Sequence, residues 1–250
     1  MLKNERKREI INEMKSQGGF ITVKELCAKL YASESSIRRD LASLEDSGVI
    51  KRTYGGAELK THSSNVTSFN TRAHHNVEAK KEIAKKAATL VHDGSVVFLD
   101  QSSTTFYLAN EIMNKNSLTV VTNNIEILCL LSGSNHRVIS SGGFLSMDNR
   151  SCLIGPDAQG VFENVYADIA FFSTKSLSDD GIISDCTREE VTLREVMLKN
   201  ATKKVYLCDS EKYSTKSAYK QCTLNDVDYL VCENESAKKY SSLSSSLIIL

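Results

Sequence analysis

Two hydrophobic periods follow each other between residues 33 and 59. Ile37, Leu41 and Leu44 recur at i, i+4 and i+7. At about 100° per residue they form one apolar stripe, which predicts a helix. With Ile37 at 0°, Ser35 falls near 160° and Arg39 near 200°, with Arg38 on the flank near 100°. The face away from the stripe is therefore short, basic and hydroxyl-bearing. Ser33 is placed to cap the helix start by accepting from first-turn amides. Gly48 is placed to close it. Val49-Ile50 then opens a strand, Tyr54-Gly55-Gly56 makes a tip, and Ala57–Leu59 returns.

Upstream, Ile10, Ile11 and Met14 share one face of a helix that Gly18-Gly19 can end. Thr22 and Glu25 have the spacing of a capping box, opening a short helix through Leu26, Cys27 and Leu30. Tyr31-Ala32 is the turn between this helix and the next. Three helices and a two-stranded wing predict a winged helix-turn-helix over residues 1–57. A helix entering a DNA groove needs small residues for close approach and guanidinium forks for phosphates or guanine edges. The candidate DNA contacts are Ser33, Ser35, Ser36, Arg38 and Arg39 on the helix, and Lys51, Arg52, Tyr54, Gly55 and Gly56 on the wing. Asp40, beside two arginines, reads as the partner that aims them.

Residues 58–75 are polar without clear periodicity and read as a linker. From residue 76 to 250 the pattern changes. An amphipathic helix spans Val77 to Val91, with Ile83, Ala87 and Leu90 on its buried side. Continuous apolar runs follow at Val96–Leu99, Leu118–Val121, Arg137–Ile139, Ile169–Phe172 and Val205–Cys208. Val227–Val231 and Leu247–Leu250 are further strands. Helical stretches at Thr105–Met113, Ile125–Leu131 and Glu189–Lys199 separate several of them. Apolar strands alternating with helices predict an α/β domain with a mainly parallel sheet covered on both faces.

The first five runs each lead into a polar cluster. In a parallel sheet the carboxyl ends share one edge, and small ligands bind there. Ser102, Ser103, Thr104 and Thr105 precede a helix, so free amides, hydroxyls and the helix dipole can hold a phosphate. Lys175 and Lys212 add positive charge. Asp100, Asn123 and Asp209 suit sugar hydroxyls, and Gly142-Gly143 allow close backbone approach. The ligand this chemistry fits is a phosphorylated, polyhydroxylated molecule.

Charge agrees with a two-part chain. Lys and Arg total 31, as do Asp and Glu. Residues 1–60 nevertheless hold 12 basic against 9 acidic residues, a balance of +3, and the remainder is −3. That asymmetry suits a DNA-binding head on a body that does not touch DNA. The seven cysteines lack metal spacing. Cys129 and Cys208, inside apolar runs, read as small core residues, and His74-His75 as part of a solvated linker. No metal or cofactor is expected. No apolar run approaches a membrane span and no signal peptide is visible, so a reduced, cytoplasmic protein is expected.

The run SESSIRRDLASLEDSGVIKRTYGGA, with Ile37-Arg38-Arg39-Asp40-Leu41 and Arg52…Gly55-Gly56-Ala57, resembles the N-terminal signature of the DeoR family of bacterial sugar-metabolism regulators. The resemblance extends from about Glu78 to the C-terminus. It is carried there by Asp100 with Ser103-Thr104, Val121-Thr122-Asn123, Gly142-Gly143, Asp168 with Phe171, and Asp209-Ser210 with Lys212. It implies an effector domain similar to the fold of sugar-phosphate isomerases, operator DNA as partner, and a phosphorylated sugar as effector. The implied activity is regulation, usually repression, of carbohydrate uptake or catabolism genes. The family usually has glycine where Ser102 and Ser176 stand, and serine would narrow backbone approach at both loops. Asp185 and Glu189-Glu190 match its acidic segment.

An alternative is an isomerase-like enzyme carrying a DNA-binding head, with Glu189 or Asp168 as the carboxylate base. No paired constellation here has a spacing that demands catalysis. A purely architectural DNA-binding protein would need no ligand edge. Helix-turn-helix heads commonly bind DNA in pairs. A dimer or tetramer held through residues 76–250 is therefore expected.

Overall fold

The computed structural model describes residues 3–46, 49–59 and 67–250. They form two compact units, Met1–His75 and Asn76–Leu250. Gly48, expected to end the third helix, lies outside the described residues, as do 60–66 of the expected linker.

The first unit contains α1 (Lys3–Ser16), β1 (Phe20–Thr22), α2 (Val23–Leu30), α3 (Glu34–Asp46), β2 (Ile50–Thr53), β3 (Gly56–Leu59) and α4 (Phe69–His74). The apolar stripes meet as the periodicity requires. Ile10 and Met14 of α1, Leu26 of α2, and Ile37, Leu41 and Leu44 of α3 close on Ile21, Ile50 and Ala57. Each such side chain removed from water stabilises by about 1.5–3 kcal/mol. The capping box at α2 is formed. Thr22 Oγ1 accepts from Glu25 N at 3.2 Å, and Glu25 Oε2 accepts from Thr22 N at 2.9 Å. Tyr31 ends α2 in the left-handed region at φ 49°.

Three expectations for this unit need correction. The wing sheet has three antiparallel strands in the order β1-β3-β2, because Phe20–Thr22 pairs with the returning strand. Periodicity cannot show a three-residue strand next to a helix cap. Second, the stretch read as a linker holds structure. Glu58 and Leu59 belong to β3, and α4 buries Phe69, Thr71 and Ala73. Asn70 Nδ2 donates to Gln17 O at 3.0 Å, and the His74 ring lies 5.3 Å from that of Phe20. Third, Asp40 does not aim Arg38 or Arg39. It is fully buried and pairs with Arg6 of α1 at 2.5 Å.

The second unit opens with α5 (Val77–Ala88), which stops short of Leu90, a residue only partly buried. There follow β4 (Val96–Leu99), α6 (Ser103–Ile112), β5 (Thr119–Thr122), α7 (Ile125–Leu131) and β6 (Arg137–Ser140). A hairpin of β7 (Phe144–Leu145) and β8 (Leu153–Ile154) leads to α8 (Pro156–Glu163) and β9 (Ala167–Phe172). Then come β10 (Ser176–Leu177), β11 (Ile182–Asp185), α9 (Arg188–Lys199), β12 (Ala201–Leu207), β13 (Tyr219–Thr223), β14 (Tyr229–Val231) and β15 (Ile248–Ile249).

The main sheet has seven strands in the order β15-β14-β12-β9-β4-β5-β6. Every pairing in it is parallel. Phe98, Val121, Ala170, Phe172 and Tyr206 face one core, while Val97, Leu99, Val120, Phe171 and Val205 face the other. Both faces are covered, so the strands are apolar throughout rather than alternating. From β4 the chain builds outward through β5 and β6, then resumes at β9 on β4's other side. The order therefore reverses between β4 and β9, where an open parallel sheet has its ligand crevice. Cys208 is buried as expected, but Cys129 of α7 is exposed. An apolar stretch on a short helix still has an outward side.

Candidate functional site

The candidate DNA-facing surface of the first unit is the outer side of α3 with the wing. Ser33 is the N-terminal cap: its Oγ accepts from Ser36 N at 3.4 Å and lies 3.0 Å from Ser36 Oγ and 3.2 Å from Ser35 Oγ. Arg38, Arg39, Lys51, Arg52 and Tyr54 are exposed. Arg38 pairs with Glu34 one turn earlier at 2.6 Å, and Arg52 Nε with Glu45 Oε2 at 2.7 Å. Such exposed pairs contribute about 0–1 kcal/mol each, so a phosphate can replace the carboxylate at small cost. Arg39 pairs with no acidic side chain among the described residues. A concavity of about 540 Å³ between α3 and the wing is lined by Arg38, Arg52, Tyr54 and Gly55, among others. The two wing glycines differ. Gly55 takes φ +80° with open space around it. A Cβ on Gly56 would stand 2.5 Å from Ile21 O, so that residue serves the contact between β3 and β1.

In the second unit the carboxyl ends of β4, β5, β9 and β12 bring several of the expected residues together. Asp100, directly after β4, is the hub and is buried. Its Oδ1 accepts from Ser102 N at 3.0 Å and Thr105 Oγ1 at 3.1 Å. Its Oδ2 accepts from Ser173 N and Arg194 Nε, both at 3.1 Å. Ser173 follows β9, so Asp100 sits across the point where the strand order reverses.

Ser102 caps α6 in extended geometry, φ −74° and ψ 153°. That conformation does not require glycine, and the serine hydroxyl accepts from Thr105 N at 3.1 Å. Ser176 departs from the family with a similar outcome, its hydroxyl lying 2.7 Å from Ser217 Oγ. Thr105 Oγ1 is likewise engaged, donating to Asp100 O at 2.9 Å. The anion-binding candidates at this helix start therefore narrow to Ser103 and Thr104. Their amides lead α6 and have no carbonyl four residues back within the helix. Thr104 Oγ1 is buried with no hydrogen-bond partner among the described residues.

Lys212 reaches the same edge. Its Nζ donates to Ser173 Oγ at 2.8 Å and lies 3.2 Å from Asp209 Oδ2. Burial pushes the Asp209 carboxyl up, but Lys212 and Lys80, with hydrogen bonds from Lys212 and Asn76, outweigh it and hold the group below its ordinary value. Lys175 does not join this cluster and is exposed. Gly142 and Gly143 both adopt positive φ, but a Cβ on Gly143 would come 2.4 Å from Ile154 O and 2.9 Å from Ala158 Cβ. Gly143 thus lets the hairpin pack on α8 rather than letting a ligand approach.

The sequence reading missed Arg194 and Asn149 here, and named Glu190 only as part of an acidic segment. Arg194 of α9 is fully buried, and its Nη1 donates to Gln221 Oε1 at 2.8 Å while its Nη2 donates to Asp185 Oδ2 at 3.1 Å. Burial pulls the guanidinium down, but Asp185, Asp100 and Glu190 more than offset that and raise it. Glu190, also buried, accepts from Gln101 Nε2 and Asn149 Nδ2, both at 3.0 Å. One signal was available. Glu190 and Arg194, one turn apart, share the buried stripe of α9 with Val191, Met197 and Leu198.

The carboxylates suited to an isomerase lie elsewhere. Glu189 is exposed. Asp168 accepts from Val96 N at 2.8 Å, at the amino ends of β9 and β4. No group of three His, Cys, Asp or Glu side chains that could hold a metal occurs among the described residues.

Comparison with known proteins gives the same division. Residues 6–63 match the DeoR-like helix-turn-helix domain, and residues 75–234 match the DeoR C terminal sensor domain. The chain belongs to the DeoR family. Among its DeoR relatives, the HTH-type transcriptional regulator GolR of Listeria innocua is 36% identical, over 92% of this chain and 91% of its own. The HTH-type transcriptional repressor GlcR of Bacillus subtilis is 31% identical, over 93% and 89%. Ribose 5-phosphate isomerase A from Methanocaldococcus jannaschii gives a TM-score of 0.41 at 20% identity, covering 55% of each chain. This DeoR protein is thus a DNA-binding transcriptional regulator.

Proposed function

We propose that this DeoR-family regulator represses genes of carbohydrate uptake or catabolism and is controlled by a phosphorylated sugar bound at the carboxyl edge of its parallel sheet. One observation carries the effector reading. Thr104 Oγ1, Asn123 Oδ1 and Asn149 Oδ1 are buried at that edge without a hydrogen-bond partner among the described residues. A buried polar atom left unpaired costs about 1–3 kcal/mol, so three such atoms favour a ligand with many hydroxyls. The start of α6 and Lys212 supply the positive potential for its phosphate. The repressor named among the relatives supports the sign of regulation.

The effector acts by binding one arrangement of the heads more tightly than another. A dimer or tetramer joined through residues 76–250 and placed on repeated or palindromic operator half-sites suits a head whose charge balance is only +3. A cytoplasmic location accords with this role.

Thermal-shift screening of pentose and hexose phosphates against their unphosphorylated parents is the test, with and without the DNA upstream of adjacent sugar genes. A phosphate-dependent rise in melting temperature that also changes DNA affinity is expected. Equal shifts from phosphorylated and plain sugars would contradict it.

A further inference from the structure

Four buried side chains form one hydrogen-bonded chain across the ligand edge: Asn149, Glu190, Gln101 and Asn123. Asn149 Nδ2 donates to Glu190 Oε1 at 3.0 Å, and Gln101 Nε2 donates to Glu190 Oε2 at 3.0 Å. Asn123 Nδ2 then donates to Gln101 Oε1 at 3.2 Å. The two ends of an amide look alike by shape, so their direction has to be argued from what each partner can do. Here one group decides it. A carboxylate only accepts. Both neighbours of Glu190 must therefore turn their nitrogens toward it. Gln101 consequently turns its oxygen toward Asn123, whose nitrogen also donates to Leu153 O at 3.2 Å. The remaining oxygens, Asn123 Oδ1 and Asn149 Oδ1, are buried and have no partner among the described residues.

We propose that Glu190 is the positioning residue that fixes both asparagine oxygens toward the effector, so that the site demands hydroxyl donors at two positions of the ligand and rejects groups that only accept. The inference rests on the effector reading above and adds a polarity to it. A carbonyl, ether or fluorine offers no hydrogen to an amide oxygen, and facing one it leaves both acceptors unpaired. A hydroxyl satisfies it.

The variant Glu190→Gln makes a specific prediction, because glutamine has one oxygen where glutamate has two. Asn123 remains pinned by the Leu153 carbonyl, so Gln101 keeps its direction and takes the new oxygen. The new nitrogen then faces Asn149, which turns over and presents its own nitrogen to the ligand. One of the two acceptor positions becomes a donor.

The experiment is calorimetry on the full-length protein. Glucose 6-phosphate, fructose 1-phosphate, fructose 6-phosphate, ribose 5-phosphate and inorganic phosphate are titrated first. The tightest-binding sugar phosphate is then compared with its monodeoxy and deoxyfluoro analogues. In the natural protein, two positions should each lose about tenfold in affinity on deoxygenation, with fluorine no better than hydrogen. In Glu190→Gln, the fluoro analogue should outbind the deoxy analogue at one of those positions. Fluorine matching hydroxyl at every position in the natural protein overturns the proposal without any variant. So does a folded Glu190→Gln protein whose analogue profile is unchanged. If no sugar phosphate binds, the effector reading fails, and this inference fails with it.

Discussion

Arg194 Nε stands 3.1 Å from Asp100 Oδ2, and both side chains are 1% exposed. The same guanidinium reaches Asp185 on β11, tying the main sheet to the small sheet β10-β11-β13. Asp100 meanwhile holds the start of α6 and the amide after β9. Removing one partner of a buried ion pair strands a charge, at a cost of about 3–5 kcal/mol. Arg194→Met should therefore destabilise the second unit by that amount, since it leaves Asp100 and Asp185 without their shared cation. Urea unfolding followed by circular dichroism measures it. A loss below 1 kcal/mol, on the order of a surface pair, would show that the arginine does not hold this edge together.

Acid should loosen the same edge at a second place. Lys212 and Lys80 keep the Asp209 carboxyl below its ordinary value of 3.8. A carboxyl whose folded value is depressed contributes stability above the unfolded value and loses it as pH falls through the folded one. That contribution fades below about pH 4. Asp209→Asn should be less stable than the parent at neutral pH and nearly equal to it at the acid end. A constant difference between the two stability curves from pH 7 to pH 3 would remove Asp209 from this account.

At the DNA-facing surface, Arg39→Ala should lose about 1–3 kcal/mol of operator affinity if the side chain reads a base. Arg52→Ala should weaken binding to all sequences alike and reduce the salt slope by about one. Glu45 engages Arg52 in the free protein, so Glu45→Gln should strengthen DNA binding without sequence preference. Fluorescence anisotropy across a salt series separates the three. A folded Arg39→Ala protein with parental affinity would place readout elsewhere.

Much of this was legible in the sequence, for definite reasons. Ile37, Leu41 and Leu44 are close together and periodic, so α3 and its exposed arginines followed. The strand ends at Asp100 and Asn123 follow apolar runs, so their convergence at one sheet edge followed too. Other features depend on distant partners. Asp40 pairs with Arg6, 34 residues away, and no local pattern distinguishes that from pairing with the adjacent arginines. Arg194 reaches Asp100 across 94 residues. Its place in the stripe of α9 pointed inward, but the charge obscured a pattern read from apolar residues. The α4 helix was hidden because only Phe69, Thr71 and Ala73 carry its buried side.

Gly56 gives a further check on the head. A Cβ there would press on Ile21 O at 2.5 Å and on the Phe20 ring at 3.0 Å. Gly56→Ala should cost about 1–3 kcal/mol by forcing β1 and β3 apart, and DNA affinity should fall with it. Gly55→Ala, strained only through its positive φ, should cost no more than about 1–3 kcal/mol and leave the pairing of β1 with β3 intact. Thermal melts and amide hydrogen exchange at Ile21 and Ala57 distinguish the two. Equal protection in both variants would contradict the distinction.

The central claim is that a phosphorylated sugar at the edge formed by Asp100, Thr104, Asn123 and Lys212 controls binding of DNA by α3. Its most direct measurement is operator affinity as a function of sugar phosphate concentration, in the parent and in Thr104→Ala/Lys212→Ala. The account predicts that the sugar phosphate shifts operator affinity severalfold in the parent, that the plain sugar does so far less, and that the double variant binds operator normally but no longer responds. A double variant that responds at the same ligand concentration as the parent would contradict it.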